Sequence, residues 1–485
     1  MTLTERHAAA QTTLNAVSQP HVLAHYDALS EAQQDALLTE IEGVDWPEVA
    51  RLIETHVKAK PAFAIPEGLE PAPWYPYVPK DADKPRYAQA RTHGETLIAE
   101  GKVAAFTVAG GQGTRLGWDG PKGTFPATPI RGTTLFACFA EYLHKAQEKY
   151  GAAVPWYVMT SPINDADTRA VFEKNNHFGL DPANVMIFPQ AMMPAIDMAS
   201  HKVLLKDKHA LALSPNGHGG SLKALWTSGA IADMKKRGVE QISYTQVDNP
   251  IVRMLDPLFI GLHDLDGAQM SSKMLPKAFP KEKLGNFCMV KGKMTVIEYS
   301  NLPDELAEQR VNGGQADGEL RFRAGSIALH AIRTDFVETL NTGTDGFSLP
   351  FNRAEKKVAF YDPATQQTVS PETPNAIKLE TFVFDALPMT GTSILYETDR
   401  VDEFAPVKNA DVEGKIETDS PASSKQLQTE RAARWLEARG VTVPRHADGT
   451  VHATIEIKQT TAIYPEDLAE IDLPNAVEAG GELLL

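Results

Sequence analysis

The sequence predicts an α/β protein: a mostly parallel mixed sheet flanked by helices, with a helical region before it and a small domain after it. Two observations lead there. From Val103 onward, short apolar runs alternate with longer amphipathic ones, which is the rhythm of βαβ units. The first of those runs ends in a glycine-rich loop, and in such sheets ligands sit outside the carboxyl ends of the strands. Three parts are expected: 1–100 helical with a connector, 101–400 the α/β domain that carries the glycine-rich loop, and 401–485 a small α+β domain.

Residues 1 to about 60 read as helices, because Leu23, Tyr26 and Leu29, then Leu37, Leu38 and Ile41, recur at helical spacing. Ser30, with Gln33 three residues on, forms a capping-box pattern, and a weaker helix is expected over 46–56. The Pro- and aromatic-rich segment 61–85 reads as an irregular connector. Strands are then expected at 103–108, 156–160, 185–188 and 241–247, with helices at 134–150, 165–175 and 221–237 between them. Residues 265–360 read as a β-rich extension with strands at 269–275, 287–290 and 294–299, and the sheet pattern returns at 381–386. In the tail a helix is expected at 426–439 and short strands around 450–457, ending in a solvated acidic stretch over 478–485.

Of 485 residues, 23% are charged and 42% hydrophobic, as in ordinary globular proteins, and the formal net charge is −16. That balance argues against a nucleic-acid or membrane partner. Cys138 and Cys288, the only cysteines, cannot build a disulfide framework or a Cys-based zinc site, and read as reduced, half-buried thiols. The polar first residues and the lack of any bilayer-spanning run predict a cytoplasmic protein; a monomer or weak homo-oligomer is the expected state. His201 with His209, and His263 with Asp264 and Asp266, lack ligand spacing and read as solvated surface.

The chemistry concentrates in residues 108–123, Val-Ala-Gly-Gly-Gln-Gly-Thr-Arg-Leu-Gly-Trp-Asp-Gly-Pro-Lys-Gly. Glycines let a backbone approach an anion and aim several N–H groups at it. Arg115 and Lys122 add two full positive charges, so the loop suits a triphosphate. A bare tight turn needs no cations. A dinucleotide-binding turn wants G-x-G-x-x-G and a Walker loop wants G-x-x-x-x-G-K-[ST]; the spacing here meets neither. Asp248, after a strand, offers the carboxylate oxygen a hard cation prefers, although Asp-Asn-Pro is also turn chemistry. The Gln190 amide offers both a donor and an acceptor.

The loop resembles the signature of the nucleotide-sugar pyrophosphorylases, in their eukaryotic-type uridylyltransferase (UDPGP) branch. Further blocks follow in family order: Pro155 to Ser161, Phe188-Pro189-Gln190, Gly217-His218-Gly219-Gly220, Gln246 to Asn249, Val296 to Ser300, Pro374 to Lys378 and Phe404 to Asp411. The N-acetylhexosamine members are the nearer resemblance and the glucose members the more distant one. The resemblance implies a Rossmann-like, GT-A-like nucleotide-diphospho-sugar transferase fold. It also implies a Mg²⁺-dependent reaction of UTP with a sugar 1-phosphate.

By that resemblance Arg115, Lys122 and Lys408 are the catalytic cations. Val108, Ala109, Gly110, Gly111, Gln190, Gly217, Asp248 and Lys378 take the nucleotide, with Asp248 also holding the metal. His218, Gly219, Glu298, Tyr299 and Ser326 take the sugar. N-acetylglucosamine 1-phosphate leads as the substrate. His218 and Ser326, with Arg323, stand where the N-acetylhexosamine members have Asn, which keeps glucose 1-phosphate or a broad sugar range as the alternative. A non-catalytic sugar-nucleotide-binding regulator is the remote one; it predicts missing cations, and all three are present.

Overall fold

A computed structural model describes residues 1–60, 64–311, 318–343, 347 and 349–485. Residues 61–63 of the expected connector, and 312–317, 344–346 and 348 of the expected extension, lie outside the described residues. The chain divides into two compact units, each discontinuous in sequence: 1–64, 190–224 and 348–385 form one, and 65–189, 225–347 and 386–485 the other. The expected succession of three parts, with boundaries near 100 and 400, groups the chain differently, because the first 64 residues share a core with segments far along the chain.

The larger unit is built on a ten-stranded sheet. Across its centre, in spatial order, run Gly285–Val290, Ala324–Arg333, Gln241–Gln246, Val103–Val108, Trp156–Thr160 and Val185–Pro189. The last four are parallel, and Ala324–Arg333 pairs antiparallel with Gln241–Gln246. Val103–Val108 and Trp156–Thr160 are buried almost throughout, as parallel strands covered on both faces must be. From Val103–Val108 the chain winds outward through Trp156–Thr160 and Val185–Pro189, then returns to the other side at Gln241–Gln246. The order therefore reverses beside Val103–Val108, and a reversal of this kind opens a crevice at the carboxyl ends.

Helix Leu135–Tyr150 covers the sheet. Thr134 caps it by accepting from the Ala137 N–H, and Gly151 ends it in a left-handed conformation. Its buried face, including Leu135, Phe136, Phe139, Leu143 and Ala146, follows the three-and-four spacing, each large side chain adding about 1.5–3 kcal/mol. Helices Lys84–Ala99 and Pro257–Leu265 cross at two glycines: a Cβ on Gly94 would stand 1.8 Å from the Pro257 carbonyl oxygen, and one on Gly261 1.8 Å from that of Ala90.

Several expectations shift. The strands of the supposed β-rich extension, Met270–Pro276, Gly285–Val290, Lys293–Ile297 and Ala324–Arg333, belong to the main sheet. The helix expected over 221–237 is two, Gly220–Thr227 and Ala230–Arg237, broken where Gly229 takes a φ of 84°. The strand expected over 381–386 ends at Thr381; residues 383–389 form a 3₁₀ helix. The tail helix starts earlier, at Pro421, under a Ser420 cap. The acidic end is not a free tail: Glu482–Leu484 pairs in parallel with Thr454–Glu456, and the C-terminal residues have their own small core around Trp435, Leu436 and Ile455. Both cysteines are fully buried and free rather than half-exposed.

In the smaller unit, helices Leu3–Ala16, Glu31–Glu42 and Trp46–Leu52 pack Leu14, Leu37, Leu38, Ile41 and Leu52 against Ile196, Val203, Leu211, Ile377 and Leu379. The Ser30–Gln33 capping box forms as read. Leu23, Tyr26 and Leu29 instead fall in and around two 3₁₀ turns, Pro20–Leu23 and Tyr26–Ala28. A three-stranded sheet of Phe351–Lys356, Ala376–Thr381 and Ile196–Asp197 completes this unit.

Candidate functional site

At the carboxyl end of Val103–Val108 the glycine loop is held by its neighbour strand. The Asn164 amide donates to the Ala109 carbonyl at 2.9 Å and the Gly111 carbonyl at 3.2 Å, and the Ser161 hydroxyl donates to the Gly110 carbonyl at 2.9 Å. The Lys122 N–H closes the loop onto the Gly111 carbonyl at 3.1 Å. The glycines differ in purpose. A Cβ on Gly113 would strike Trp118 and one on Gly123 would strike Phe136, whereas one on Gly111 would meet nothing within 4 Å. Gly113 and Gly123 serve packing, and Gly111 presents an open, exposed backbone.

The next strand, Gln241–Gln246, delivers Asp248, whose carboxylate lies 3.7 Å from the Lys122 ammonium. Asp248 and Asn249 also fix the distant 404–408 segment. The Val407 N–H donates to the Asp248 carbonyl at 2.8 Å, and the Ala405 N–H donates to the Asn249 side chain at 3.1 Å. Lys408 follows, 3.5 Å from Asp419 and 5.0 Å above the Phe404 ring. Arg115 stands exposed in the turn Thr114–Leu116. Burial lowers the Lys122 ammonium below its ordinary pKa; Asp248 opposes that, while Lys408 and Arg115 repel it further. Arg115, Lys122 and Lys408, expected from the sequence as one set, therefore share one field with Asp248.

The candidate sugar residues of this unit meet at Gly285. Gly285 pairs with Ser326 across the sheet, and a Cβ on it would lie 3.4 Å from a Glu298 carboxylate oxygen and 3.7 Å from the Ser326 Cβ. Burial raises the Glu298 pKa. Tyr299 beside it is exposed. Arg323 does not join them: it pairs with Glu319 and Glu397 and lies over the Trp74 ring.

The smaller unit holds the rest. Gln190 is buried with its amide oxygen unpartnered, next to Gly220, where a Cβ would come within 3.2 Å of that oxygen. Gly217 takes a φ of 64° and closes against the Thr381 carbonyl, to which the Gly219 N–H donates at 2.8 Å. His218 accepts the Val383 N–H on Nδ1 at 3.1 Å and stacks on Phe382, so its Nε2 carries the hydrogen. Burial pushes the His218 pKa down to about 4. Lys378 lies 3.5 Å from Glu380 on the strand leading to Thr381.

One reading is corrected. His263 is not surface: it is fully buried, its ring between the Ser271 hydroxyl at 2.7 Å and the Gln241 amide at 3.1 Å, and burial pushes its pKa down to about 4. Among the described residues no group of three or more His, Cys, Asp or Glu side chains could hold a metal. A cation at Asp248 would therefore have fewer than three such side chains around it and need oxygens from elsewhere, which matches the habit of Mg²⁺ on phosphates. Sequence reasoning missed Asn164, Asn249 and Asp419. Each acts through a tertiary partner; Asn164, four residues past a strand end, and Asn249, beside Asp248, had a local signal, and Asp419 had none.

The chain is similar to known proteins over most of its length. A family model described as UTP–glucose-1-phosphate uridylyltransferase matches residues 79–415. The chain is 35% identical over 454 residues to UDP-N-acetylhexosamine pyrophosphorylase-like protein 1 of Homo sapiens, covering 89% of this chain and 87% of that one. It is 32% identical over 467 residues to UDP-N-acetylglucosamine pyrophosphorylase of Saccharomyces cerevisiae, covering 93% and 94%. The crystal structure of the uridine diphosphate N-acetylglucosamine pyrophosphorylase from Trypanosoma brucei in complex with inhibitor superposes with a TM-score of 0.83 at 25% identity, covering 100% of this chain and 98% of that one.

Proposed function

The chain belongs to the UTP–glucose-1-phosphate uridylyltransferase family, and from that premise we propose that it makes UDP-N-acetylglucosamine and pyrophosphate from UTP and N-acetylglucosamine 1-phosphate. The observation that carries the reading is the Lys122–Asp248 pair at 3.7 Å within the field of Arg115 and Lys408. A phosphate oxygen of the sugar 1-phosphate attacks the α-phosphorus of UTP. The bond from that phosphorus to the bridging oxygen breaks, and pyrophosphate leaves with the electron pair. The substrate brings its own nucleophile, so the protein's work is alignment and charge. Arg115 and Lys122 balance the charge gathering on the leaving pyrophosphate, and Lys408 holds the incoming phosphate in line. Lys378 adds a contact to the UTP phosphates. Asp248 would hold Mg²⁺, which when bound neutralises phosphate charge.

Gln190 reads the uracil edge; its buried, unpartnered oxygen is an acceptor suited to the N3–H. The backbone of Val108 to Gly111 and of Gly217 carries the nucleoside. Glu298 and Tyr299 take sugar hydroxyls, with Ser326, His218 and Gly219 completing the sugar set. Glucose 1-phosphate is the second reading. It is favoured by His218, a neutral Nε2–H donor, and by the short Ser326 opposite Gly285. The buried free thiols support a reducing, cytoplasmic setting, and the net charge of −16 supports small anionic substrates over nucleic acid.

The test is pyrophosphate release from UTP and Mg²⁺ with each sugar 1-phosphate in parallel. Preference for the acetylated sugar is the expected result. Preference for glucose 1-phosphate replaces it with the second reading, and silence with both overturns the reaction.

A further inference from the structure

Behind the Asp248 strand end lies a buried ion-pair network that the chemistry above does not use. The Lys273 ammonium, only 2% exposed, donates to Asp256 at 2.6 Å and to the two oxygens of Glu403 at 2.6 and 2.7 Å. Glu403 is fully buried and accepts the Thr398 hydroxyl at 2.7 Å. Lys273 sits where the sheet register slips between Ser272 and Met274, an irregularity that re-aims a side chain. The Phe259 and Tyr396 rings lie 5.5 and 5.9 Å from its nitrogen. Removing a lysine and two carboxylates from water is costly, and apolar side chains of similar volume commonly give equal stability. Stability alone is therefore a weak account of this cluster.

Its connections supply a better one. Glu403 opens the segment that carries Lys408, and that segment is stitched to the Asp248 strand end at three successive points. The Asn249 amide donates to the Glu403 carbonyl at 2.6 Å, the Ala405 N–H to the Asn249 side chain at 3.1 Å, and the Val407 N–H to the Asp248 carbonyl at 2.8 Å. Lys273 clamps the first stitch from below. We propose that the Lys273–Glu403 ion pair is a positioning device that holds Lys408 in register with Asp248, so that a cation and a carboxylate from distant segments address the same phosphates. The proposal rests on the assignment of Asp248 and Lys408 to the phosphates. Lys273 and Glu403 touch no substrate.

The experiment is a kinetic cycle on the full-length enzyme. Glu403→Gln keeps size and acceptors but removes the charge that grips Lys273. It is expected to lower kcat about 10- to 100-fold, the scale of a small misplacement, with the KM for UTP little changed. Lys408→Ala is expected to lower kcat too, and adding Glu403→Gln to it is expected to cost nothing more, because the device acts through Lys408. Independent, multiplying losses would overturn the proposal. Should Glu403→Gln fail to fold, the double variant Lys273→Met, Glu403→Gln removes one charge of each sign and leaves Asp256 facing the buried Arg253 guanidinium. It is expected to keep the thermal midpoint near wild type with kcat still reduced, and wild-type kcat would overturn the proposal. If Lys408→Ala alone retains full turnover, the phosphate assignment itself fails and the proposal falls with it, a result separable from multiplying losses in a cycle where Lys408→Ala is impaired.

Discussion

Lys122 is a cation held where a cation is uncomfortable. Burial and the charges of Lys408 and Arg115 lower its pKa, with Asp248 only partly compensating. The free enzyme thus gives up this proton at a lower pH than an unfolded chain does. In that window the unfolded state binds more protons, so the group opposes folding there, and the penalty fades as pH rises toward the ordinary lysine value of 10.5. A bound triphosphate reverses the balance and restores the proton. UTP binding is therefore expected to take up protons in alkaline buffer and to weaken as pH rises. Calorimetry in two buffers of different ionisation enthalpy measures this, and equal heats would remove Lys122 from the phosphates. Arg115→Ala is expected to lower turnover about 10²–10³-fold, the cost of deleting one charge-stabilising donor, with the thermal midpoint unchanged. Near-normal turnover would take Arg115 out of the mechanism. His218→Asn is expected to shift the ratio of acetylated to plain sugar use, and an unchanged ratio would place specificity elsewhere. The loop cations were legible in sequence because their types stand close together in one run. Asp419 was not, because nothing local ties it to Lys408.

At the scale of elements, what could be read depended on whether the pattern was local. Of the four parallel strands, three announced themselves as largely apolar runs and Gln241–Gln246 as an alternating one, and all were placed within a residue or two. The break at Gly229 was hidden inside a stretch of helical periodicity, since a glycine is tolerated there as readily as it ends a helix. Residues 381–386 have strand composition, yet Phe382 and Phe384 bury against His218 from a turn-and-3₁₀ path, so packing overrides propensity. His263 looked polar and exposed, but Ser271 and Gln241 satisfy both ring nitrogens. The crossing of Lys84–Ala99 and Pro257–Leu265 is the sharpest packing constraint of this kind. Gly94→Ala puts a methyl against backbone that has no side chain to swing away. It is expected to destabilise by about 2–4 kcal/mol, read as a lower thermal midpoint. An unchanged midpoint would show that the helices separate freely.

Over the whole molecule, none of the candidate site residues lies in the first 64 positions, yet those positions are half of a shared core. Glu40 accepts the Leu211 N–H at 2.6 Å, Gln19 accepts the Val203 N–H at 3.0 Å, and His21 meets the Val203 carbonyl at 2.8 Å. Gln190, His218 and Lys378 sit in the same unit. Deleting residues 1–58 is therefore expected to abolish activity and expose apolar surface to a dye such as ANS, although no substrate contact is removed. An active, dye-silent truncation would show that the segments 190–224 and 348–385 stand alone. The same interleaving sets a timetable for the ribosome. At 5–20 residues per second, the roughly 320 residues between the end of the first segment and position 385 take about 15–65 s to emerge. Until that interval ends Leu14, Leu37, Leu38, Ile41 and Leu52 lack part of their core, because Ile377 and Leu379 are made last. The nascent chain is thus a natural client for holding chaperones, and synthesis speed becomes a determinant of yield.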